Sequence, residues 1–474
     1  MNWTYRIRLA CIALVVFGLA FPAAARLRVG ENQRHFVDGD QPVMLFGSGI
    51  WTIIPDPTID IEEHNTWYGE WSSNANRATL FAFSTSVPDG QGLAPWKRTG
   101  PGEANDGLPK FDLTVWDEAF WDRLHAYLES CKRHEIYVWL QIFDEPYTEP
   151  GMQRWYLNPF NDENNINALP GMPGGDGDGP WGLYGVGEEA FYDPDNEPLM
   201  DIQNTLLQRL LDETATRYGH IIYEIGNEIN ADSVAPKALE WQRHWIRLFR
   251  EYEQAHDIDL ILSNNTRRSL AEADADGFDV LNHNAFGEIP VRGVAPLELA
   301  RNIARRVGDD FTRFRQPIVN SRPASDPDRV DYPDVVSPDE GRCLYWSYFM
   351  SGGHIVGFRT TEESWKSGVN AETIIRNLHR FIDETPFDQM EPDQDRVEGD
   401  ALCFAQLGQA YALYFPVGGK ATLQLSDEEN ELTLRWYNPR SGEWHDPESL
   451  TPESQGLALE SPDDMDWAVL ILRP

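Results

Sequence analysis

Apolar and polar residues follow two different periods along most of the chain. Short apolar runs of about four to eight residues, bounded by turn-forming residues, are typical of buried β-strands. Between these runs, apolar residues recur at the spacing of one helix face. The runs that we predict as strands are 43–47, 78–83, 136–143, 221–227, 259–263, 278–283, 317–320 and 355–358.

Helical patterns fill the intervals between these strands. A hairpin at 26–49 leads into the first strand. Strands that alternate with helices in this way are the sequence signature of an α/β protein with a (β/α)₈ TIM barrel. The helices that we predict are 111–133, 201–218, 241–255, 297–307 and 341–350.

The pattern changes after residue 400. Short runs there alternate apolar and polar residues with a period of two, and glycine-containing turns separate them. This predicts a small all-β sandwich domain. We therefore divide the chain into a signal peptide at 1–25, the barrel at 26–385, an acidic linker at 386–400 and the β-sandwich at 401–474.

A long insertion rich in Asn, Gly, Pro and Trp interrupts the barrel at 144–198. Structureless stretches of this length are usually functional or disordered. The aromatic residues of the insertion favour an ordered binding loop over a disordered one; they are Trp155, Tyr156, Phe160, Trp181 and Tyr184.

The first 25 residues have the pattern of a secretory signal. Arg6 and Arg8 precede the apolar run 9–21, and three alanines end the segment before Arg26. This run is too short for a comfortable membrane span, and no later run is long enough. We expect a secreted or periplasmic protein without a membrane span; the sequence leaves its oligomeric state open.

The chain is strongly acidic, with a formal charge of −38, which becomes −40 once Arg6 and Arg8 are removed. Such a charge disfavours nucleic acid and anionic membranes as partners. The remaining cysteines, Cys131, Cys343 and Cys403, allow at most one disulfide and show no metal-ligand spacing. We expect no metal and no cofactor. Seventeen tryptophans suit a carbohydrate cleft, since aromatic faces stack on sugar rings.

The segment Glu-Ile-Gly-Asn-Glu at 224–228 ends the fourth predicted strand. In a TIM barrel the carboxyl ends of the strands form the catalytic face, so Asn227 and Glu228 are expected there. A glutamate at that place can act as a general acid, which cleavage of a glycosidic bond requires. Glu224 lies deeper in the barrel, and we interpret it as a structural carboxylate whose partner is Arg77.

With the strands counted, the chain resembles the clan A glycoside hydrolases, which place an Asn-Glu acid/base pair at the end of strand four. Its order of parts is most similar to apiosidase-like and family-5-like bacterial enzymes. These begin with an Asp-Gly hairpin and a Gly-containing strand followed by Trp, matched at 38–51, and contain a run like Asn-Pro-Phe-Asn at 158–161. They end in a collagen-binding-type β-sandwich with the run Trp-Tyr-x-Pro-x-x-Gly-x-Trp, matched at 436–444. The resemblance implies a glycoside hydrolase with a carbohydrate substrate and Glu228 as proton donor.

One departure from the family pattern affects the mechanism. Retaining members carry a nucleophilic glutamate at the end of strand seven, where this chain has Ser321 and Arg322 and no carboxylate before Asp326. Without a nucleophile at about 5 Å from the acid, double displacement at that position is not available. Three hypotheses stay open: an inverting reaction with a different base, a nucleophilic Asp326 that folds back, or carbohydrate binding without cleavage. A second carboxylate at about 5 to 10 Å from Glu228 would separate the enzymatic hypotheses from the third.

Several other residues at predicted strand ends are candidates for the site. Among the acids, we prefer Glu363 and Asp144 as catalytic partners of Glu228. The residues that we expect to bind the sugar are Asn227, His283, Arg322 and the stacking tryptophans Trp365 and Trp139. Trp436 and Trp444 are predicted to lie in the core of the sandwich.

Overall fold

A computed structural model describes the chain from residue 26 onward, with gaps. The described residues are 26–80, 92–144, 154–175, 190–229, 235–266, 277–283, 293–321, 337–357, 369–425, 431–452 and 456–474. The predicted signal peptide at 1–25 lies outside them.

The described chain begins with an antiparallel sheet of three short strands. They are β1 (Leu27–Val29), β2 (Phe36–Asp38) and β3 (Gln41–Val43). The amide of Leu27 donates to the carbonyl oxygen of Gly219 at 2.8 Å, just before a barrel strand begins. The sheet therefore covers the amino-terminal end of the barrel.

Eight parallel strands then form a nearly closed barrel, which confirms the predicted fold class. From the second strand onward, each strand pairs with the next one along the chain, and the last pairs with the first; the first and second strands are the two ends of the sheet. In chain order they are β4 (Phe46–Gly47), β5 (Ala75–Thr79), β8 (Tyr137–Asp144), β9 (Ile221–Ile229), β10 (Ile261–Thr266), β11 (Val280–Asn282), β12 (Ile318–Asn320) and β13 (His354–Val356).

The two ends of this sheet, β4 and β5, meet through side-chain hydrogen bonds. The side chain of Asn74 accepts from the amide of Phe46 at 3.0 Å and donates to the carbonyl oxygen of Met44 at 2.8 Å. A Cβ atom at Gly47 would lie 2.1 Å from the carbonyl oxygen of Ala75, so only glycine permits this approach. An asparagine and a glycine thus bring the first two strands together.

Helices surround the barrel, and several begin at residues that favour a helix start. Asp60 caps the first helix and Asp117 the second, while Ser337 and Glu340 form a capping box. The helices are α1 (Ile61–Glu70), α2 (Glu118–Arg133), α3 (Arg154–Leu157), α4 (Glu197–Thr214), α5 (Ala235–His256), α6 (Pro296–Phe314), α7 (Pro338–Met350) and α8 (Val369–Ile382).

The start of the predicted helix 111–133 is wrong. Residues Pro109–Trp116 form β7, which pairs in antiparallel fashion with β6 (Trp96–Glu103), and helix α2 begins only after Asp117. Phe111 and Leu113 are buried at 2 % exposure, and polar residues alternate with them. This alternation has the period of two that is typical of a half-buried strand.

The carboxyl-terminal domain is a sandwich of two antiparallel sheets, as predicted. Their strands are β14 (Glu391–Pro392), β15 (Val397–Gly399), β16 (Leu402–Gln406), β17 (Ala410–Phe415), β18 (Lys420–Gln424), β19 (Leu432–Asn438), β20 (Glu443–Trp444), β21 (Glu448–Leu450), β22 (Gly456–Glu460) and β23 (Trp467–Leu472). The larger sheet has the order β14-β16-β17-β23-β19-β20, with β21 also paired to β19, and the smaller has the order β15-β18-β22.

The segment 386–400 was predicted to be a linker, but it contributes two strands to this sandwich. Strand β14 pairs with β16, and β15 pairs with β18. Both lie at sheet edges, where Pro392 and acidic side chains are tolerated because one side of the strand needs no partner. Composition alone could not distinguish edge strands from a linker.

The sandwich also packs directly on the barrel helices. One face of the larger sheet shares an apolar cluster with α6, α7 and α8. Trp346 stacks on Tyr414 with 5.4 Å between ring centroids, and Phe381 stacks on Trp444 with 5.3 Å. The other face forms the interior of the sandwich and contains Trp436.

Cys131, Cys343 and Cys403 are free and buried.

Candidate functional site

The barrel interior consists of an apolar layer beneath a polar one. A single apolar cluster includes one residue from, or next to, each barrel strand, an arrangement that is possible only inside the barrel. Its strand members are Leu45, Ala75, Trp139, Ile222, Ile261, Val280, Val319 and Val356. Because alternate residues of a strand face the same side, the next interior position lies two residues further along each strand.

These next positions are polar on six strands. They are occupied by Arg77, Gln141, Glu224, Ser263, Asn282 and Ser321, none of which is more than 1 % exposed. Buried polar groups are costly unless they are hydrogen-bonded, so this layer needs an internal network.

Arg77 and Glu224 form the charged centre of the network. The Nη2 atom of Arg77 donates to Oε1 of Glu224. The other carboxylate oxygen, Oε2, accepts from Nε1 of Trp139 at 2.6 Å and from Nδ2 of Asn282 at 3.0 Å. The predicted pairing of Glu224 with Arg77 is therefore confirmed.

Two opposing effects act on the carboxyl group of Glu224. Burial raises its pKa, and the charge of Arg77, together with the hydrogen bonds from Arg77, Trp139 and Asn282, opposes this rise. Both oxygens already accept hydrogen bonds, and the side chain is 0 % exposed. The geometry is that of an interior anchor.

Asn227 lies at the carboxyl end of β9 and is tied to the same arginine. Its Oδ1 accepts from Nη2 of Arg77 at 2.7 Å and from Nδ2 of Asn265 at 2.5 Å. Glu224 and Asn227 are three residues apart and would face opposite sides of a regular strand. The ladder between β9 and β10 shifts register between Ser263 and Asn265, and this irregularity lets both side chains face the interior.

The predicted catalytic residues are only partly described. The backbone of Glu228 follows Asn227 within β9, and Asp144 is the last residue of β8, level with Asn227 in the ladder. The side chains of Glu228 and Asp144 lie outside the described part of the structure. So do the whole of Glu363, Trp365 and Arg322, and the roles of these five residues stay predictions.

Ser321 lies at the end of strand seven, where the predicted resemblance to retaining glycosidases would place a nucleophile. Its Oγ accepts from Nδ2 of Asn282 at 2.8 Å, and the residue is fully buried. Through Asn282, the hydroxyl belongs to the same network as Glu224. The described part of this strand end therefore carries a hydroxyl at the position where a carboxylate was expected.

Trp139 and His283 lie differently from what a sugar-binding role suggests. Trp139 belongs to the apolar layer beneath the polar one and is 1 % exposed, which argues against the predicted stacking role. The Nε2 atom of His283 lies 2.9 Å from Oδ2 of Asp310 on helix α6, and Nδ1 lies 3.4 Å from the hydroxyl of Tyr348 on α7. These contacts connect the strand to the helix layer, and the sugar-binding role of His283 stays a prediction.

Asp310 is stabilised as a carboxylate by this contact. Burial opposes its ionisation, but hydrogen bonds from His283 and Arg306 outweigh that effect and lower its pKa. Nε of Arg306 donates to the same oxygen, Oδ2, at 2.7 Å. The three side chains thus form a second polar cluster, on the outer side of the barrel wall.

The described part of the insertion at 144–198 is held by its own side chains. Trp155 and Phe160 are fully buried in the apolar cluster that the barrel strands form with the surrounding helices, so their role is packing. Nδ2 of Asn161 donates to carbonyl oxygens of Trp155 at 3.1 Å and Gly175 at 2.7 Å. This accounts for the abundance of asparagine, whereas Trp181 and Tyr184 lie outside the described residues.

Of the polar residues in the interior layer, the sequence analysis named Arg77, Glu224 and Ser321 but missed Gln141, Ser263 and Asn282. A signal was available, since Gln141 comes two residues after Trp139 on one apolar strand and Asn282 two residues after Val280 on another.

Within the described ranges, no group of three or more His, Cys, Asp or Glu side chains could hold a metal ion. Of the helices described, none is long and apolar enough to cross a membrane.

Two family models match parts of the chain. Residues 92–274 match “Domain of unknown function (DUF6298)”, and residues 388–473 match “Putative collagen-binding domain of a collagenase”. No curated protein matches the chain.

Solved structures match over nearly the whole length. A “putative glycoside hydrolase” from Bacteroides vulgatus ATCC 8482 has a TM-score of 0.67 at 13 % identity, covering 95 % of this chain and 82 % of that one. A glycoside hydrolase family 5 protein from the same organism has a TM-score of 0.61 at 12 % identity, covering 94 % and 93 %. A structure described as “Glycoside hydrolase” has a TM-score of 0.62 at 12 % identity, covering 95 % and 97 %. The predicted barrel fold is thereby confirmed, and the chain shares it with these glycoside hydrolases.

Proposed function

We propose that this protein is a secreted or periplasmic glycoside hydrolase that cleaves O-glycosidic bonds of a poly- or oligosaccharide. Glu228 would act as the general acid/base. The observation that carries the proposal is the position of Asn227: it lies near the carboxyl end of the fourth barrel strand, directly before Glu228, and its amide is anchored to the barrel interior. Solved structures of glycoside hydrolases with the same fold support a glycosidase activity.

The catalytic step requires proton donation to the leaving oxygen and a second carboxylate. Asp144 is a suitable candidate, because it is level with Asn227 on the neighbouring strand. Adjacent strands lie about 4.8 Å apart, so the backbones of Asp144 and Asn227 flank the same part of the cleft. Glu363, which follows strand eight, is the other candidate.

The structure at strand seven bears on the stereochemistry. Ser321 cannot serve as the carboxylate nucleophile of the usual double displacement. We therefore infer that water attacks directly, with Asp144 or Glu363 as its general base, and that the anomeric centre is inverted.

A second candidate function is carbohydrate binding without cleavage on the same barrel. The specific observation in its favour is again the buried Ser321, which takes the place of the expected nucleophile. Binding needs a polar, rigid cleft but no second carboxylate at a catalytic distance.

The test is a screen for release of reducing sugars from plant and algal polysaccharides, with Glu228→Gln as the inactive variant. Loss of the general acid should reduce the rate at least about a hundredfold. Glu398→Gln, at an exposed site in the sandwich, is the matched control and should retain the wild-type rate. Retention of carbohydrate in affinity electrophoresis without release of sugar would favour the binding function. Hydrolysis by Glu228→Gln at the wild-type rate would exclude Glu228 as the acid.

A further inference from the structure

The buried ion pair of Arg77 and Glu224 is connected to Asn227 through one nitrogen atom. Nη2 of Arg77 donates both to Oε1 of Glu224 and to Oδ1 of Asn227, the latter at 2.7 Å. Arg77 is 1 % exposed and Glu224 0 % exposed. Any movement of this guanidinium group would therefore change the contact with Asn227.

Glu224 restrains Arg77 on the side away from the cleft. Its Oε2 is held by Trp139 at 2.6 Å and by Asn282 at 3.0 Å, and its Oε1 is directed at Arg77. The contacts come from three other strands, so the carboxylate cannot rotate without breaking several hydrogen bonds. A buried arginine also needs a counter-charge, which Glu224 supplies.

The amide of Asn227 has two possible orientations, related by exchange of its oxygen and nitrogen. In the observed orientation, Oδ1 accepts from both Arg77 and Asn265. In the other orientation, the amide N–H₂ group would face the guanidinium group of Arg77, which has donors only. Arg77 therefore selects one orientation, in which the N–H₂ group of Asn227 is directed away from Arg77, and Asn265 adds a second hydrogen bond to the same oxygen.

We propose that Arg77 and Glu224 are positioning residues that fix the orientation of the Asn227 amide next to the proposed acid. This inference rests on the proposed function, since the amide is expected to contact the sugar. Glu224 holds the guanidinium group of Arg77, and the guanidinium group donates to Oδ1 of Asn227. The register shift between β9 and β10 brings the side chain of Asn227 next to this ion pair. Neither Arg77 nor Glu224 needs to touch the substrate.

The test is a double-mutant cycle with two conservative variants. Glu224→Gln keeps the shape of the side chain but directs an N–H₂ group at donors. Arg77→Lys keeps the positive charge but lacks the planar fork and is shorter. Both changes should displace the amide of Asn227. Displacement of a substrate-positioning group by about 1 Å can reduce a rate about a hundredfold, and we expect each variant to lower kcat/KM by about that factor.

The cycle distinguishes positioning from a general structural role. In an Asn227→Ala background, Glu224→Gln and Arg77→Lys should lower kcat/KM less than about threefold further, because they act through the same amide. Arg342→Lys is the matched control: it perturbs another buried ion pair, with Asp466, between barrel and sandwich. It should lower the melting temperature and leave kcat/KM unchanged.

Crystal structures of the two variants make the test independent of turnover. We expect the Asn227 amide to rotate, or to lose its contact at position 77. Wild-type activity in both variants, equal losses in the presence and absence of the Asn227 side chain, or an unchanged amide in both crystal structures would overturn the proposal. If the wild-type protein hydrolyses nothing, the proposed function fails, and the orientation of the amide still decides the inference.

Discussion

Arg342 of helix α7 and Asp466, just before β23, join the barrel to the sandwich through a buried bidentate ion pair. Nε and Nη2 of Arg342 donate to Oδ2 and Oδ1 of Asp466 at 2.9 and 3.0 Å. The two side chains are 10 % and 5 % exposed. Together with the shared apolar cluster, this pair indicates that barrel and sandwich unfold as one cooperative unit.

We expect Asp466→Asn to destabilise the whole protein by about 3 kcal/mol, because it leaves the charge of Arg342 buried with a weaker partner. Equilibrium urea unfolding followed by tryptophan fluorescence measures the effect. The control is Glu460→Gln, which removes a pair with Lys420 whose side chains are 69 % and 75 % exposed. That change should cost less than about 1 kcal/mol. Two separate unfolding transitions in the wild-type protein would contradict the cooperative unit.

The sequence predicts the barrel well because its strands are bounded apolar runs. Strand 221–227, for example, is found at Ile221–Ile229. The partner of Glu224 was also predictable, since a buried carboxylate needs a nearby cation and Arg77 is suitably placed. Short local patterns were harder: the strand at Pro109–Trp116 was hidden by apolar residues that also fit a helix.

The contact between Arg77 and Asn227 could not be predicted. It depends on the register shift between β9 and β10, which is a property of two paired strands and has no signal within either segment. In a regular strand, side chains alternate between the two faces, which would have placed Glu224 and Asn227 on opposite faces. Likewise, the pairing of β14 and β15 with the sandwich was hidden by their acidic, proline-containing composition.

We expect ordered water in the polar layer of the barrel. Nε2 of Gln141 and Oδ1 of Asn265 are buried and have no hydrogen-bond partner among the described residues. The other end of each amide is held, by Nε1 of Trp51 at 3.0 Å and by Asn227 at 2.5 Å respectively. Buried polar atoms of this kind are usually satisfied by internal water.

A crystal structure at high resolution would test this expectation, with a water molecule in hydrogen-bond range of each atom. Gln203 is the internal control, because both ends of its buried amide are already bonded, to Trp241 at 2.7 Å and to Phe191 at 3.3 Å. Electron density without a water peak within hydrogen-bond range of the Gln141 and Asn265 amides would contradict the prediction.

Buried histidines should make the protein less stable in mild acid. Burial lowers the pKa of His64 to about 3 and those of His220 and His354 to about 4, from the ordinary value of 6.5. The unfolded chain therefore takes up protons below pH 6.5 that the folded protein refuses until about pH 4. Since the unfolded state binds more protons in this window, the free energy of unfolding decreases as the pH falls through it.

His354 offers a direct test. Its Nδ1 accepts from the amide of Leu45 at 3.0 Å and its Nε2 donates to the carbonyl oxygen of Arg34 at 2.8 Å, a pattern that requires the neutral ring. His354→Gln should be less stable at pH 7, but its further loss between pH 7 and pH 5 should be smaller than that of the wild type by about 2 kcal/mol. If the free energy of unfolding of His354→Gln falls between pH 7 and pH 5 as steeply as that of the wild type, His354 is not a source of the pH dependence.

If the protein is the proposed hydrolase, Ser321 at the end of strand seven favours a reaction that inverts the anomeric centre. Its buried hydroxyl is bonded to Asn282 at 2.8 Å and leaves no carboxylate at that position for a covalent intermediate. With Asp144 or Glu363 as the base, water needs room between the two carboxyl groups, which inverting enzymes provide by a separation of about 6.5–9.5 Å. Proton NMR of the first-formed sugar should therefore show the anomer opposite to that of the substrate. Asp144→Asn and Glu363→Gln identify the base, because only the correct one should abolish turnover while carbohydrate binding persists. Net retention would instead assign the displacement to Asp326, another nucleophile or the substrate itself, and would exclude the inverting mechanism.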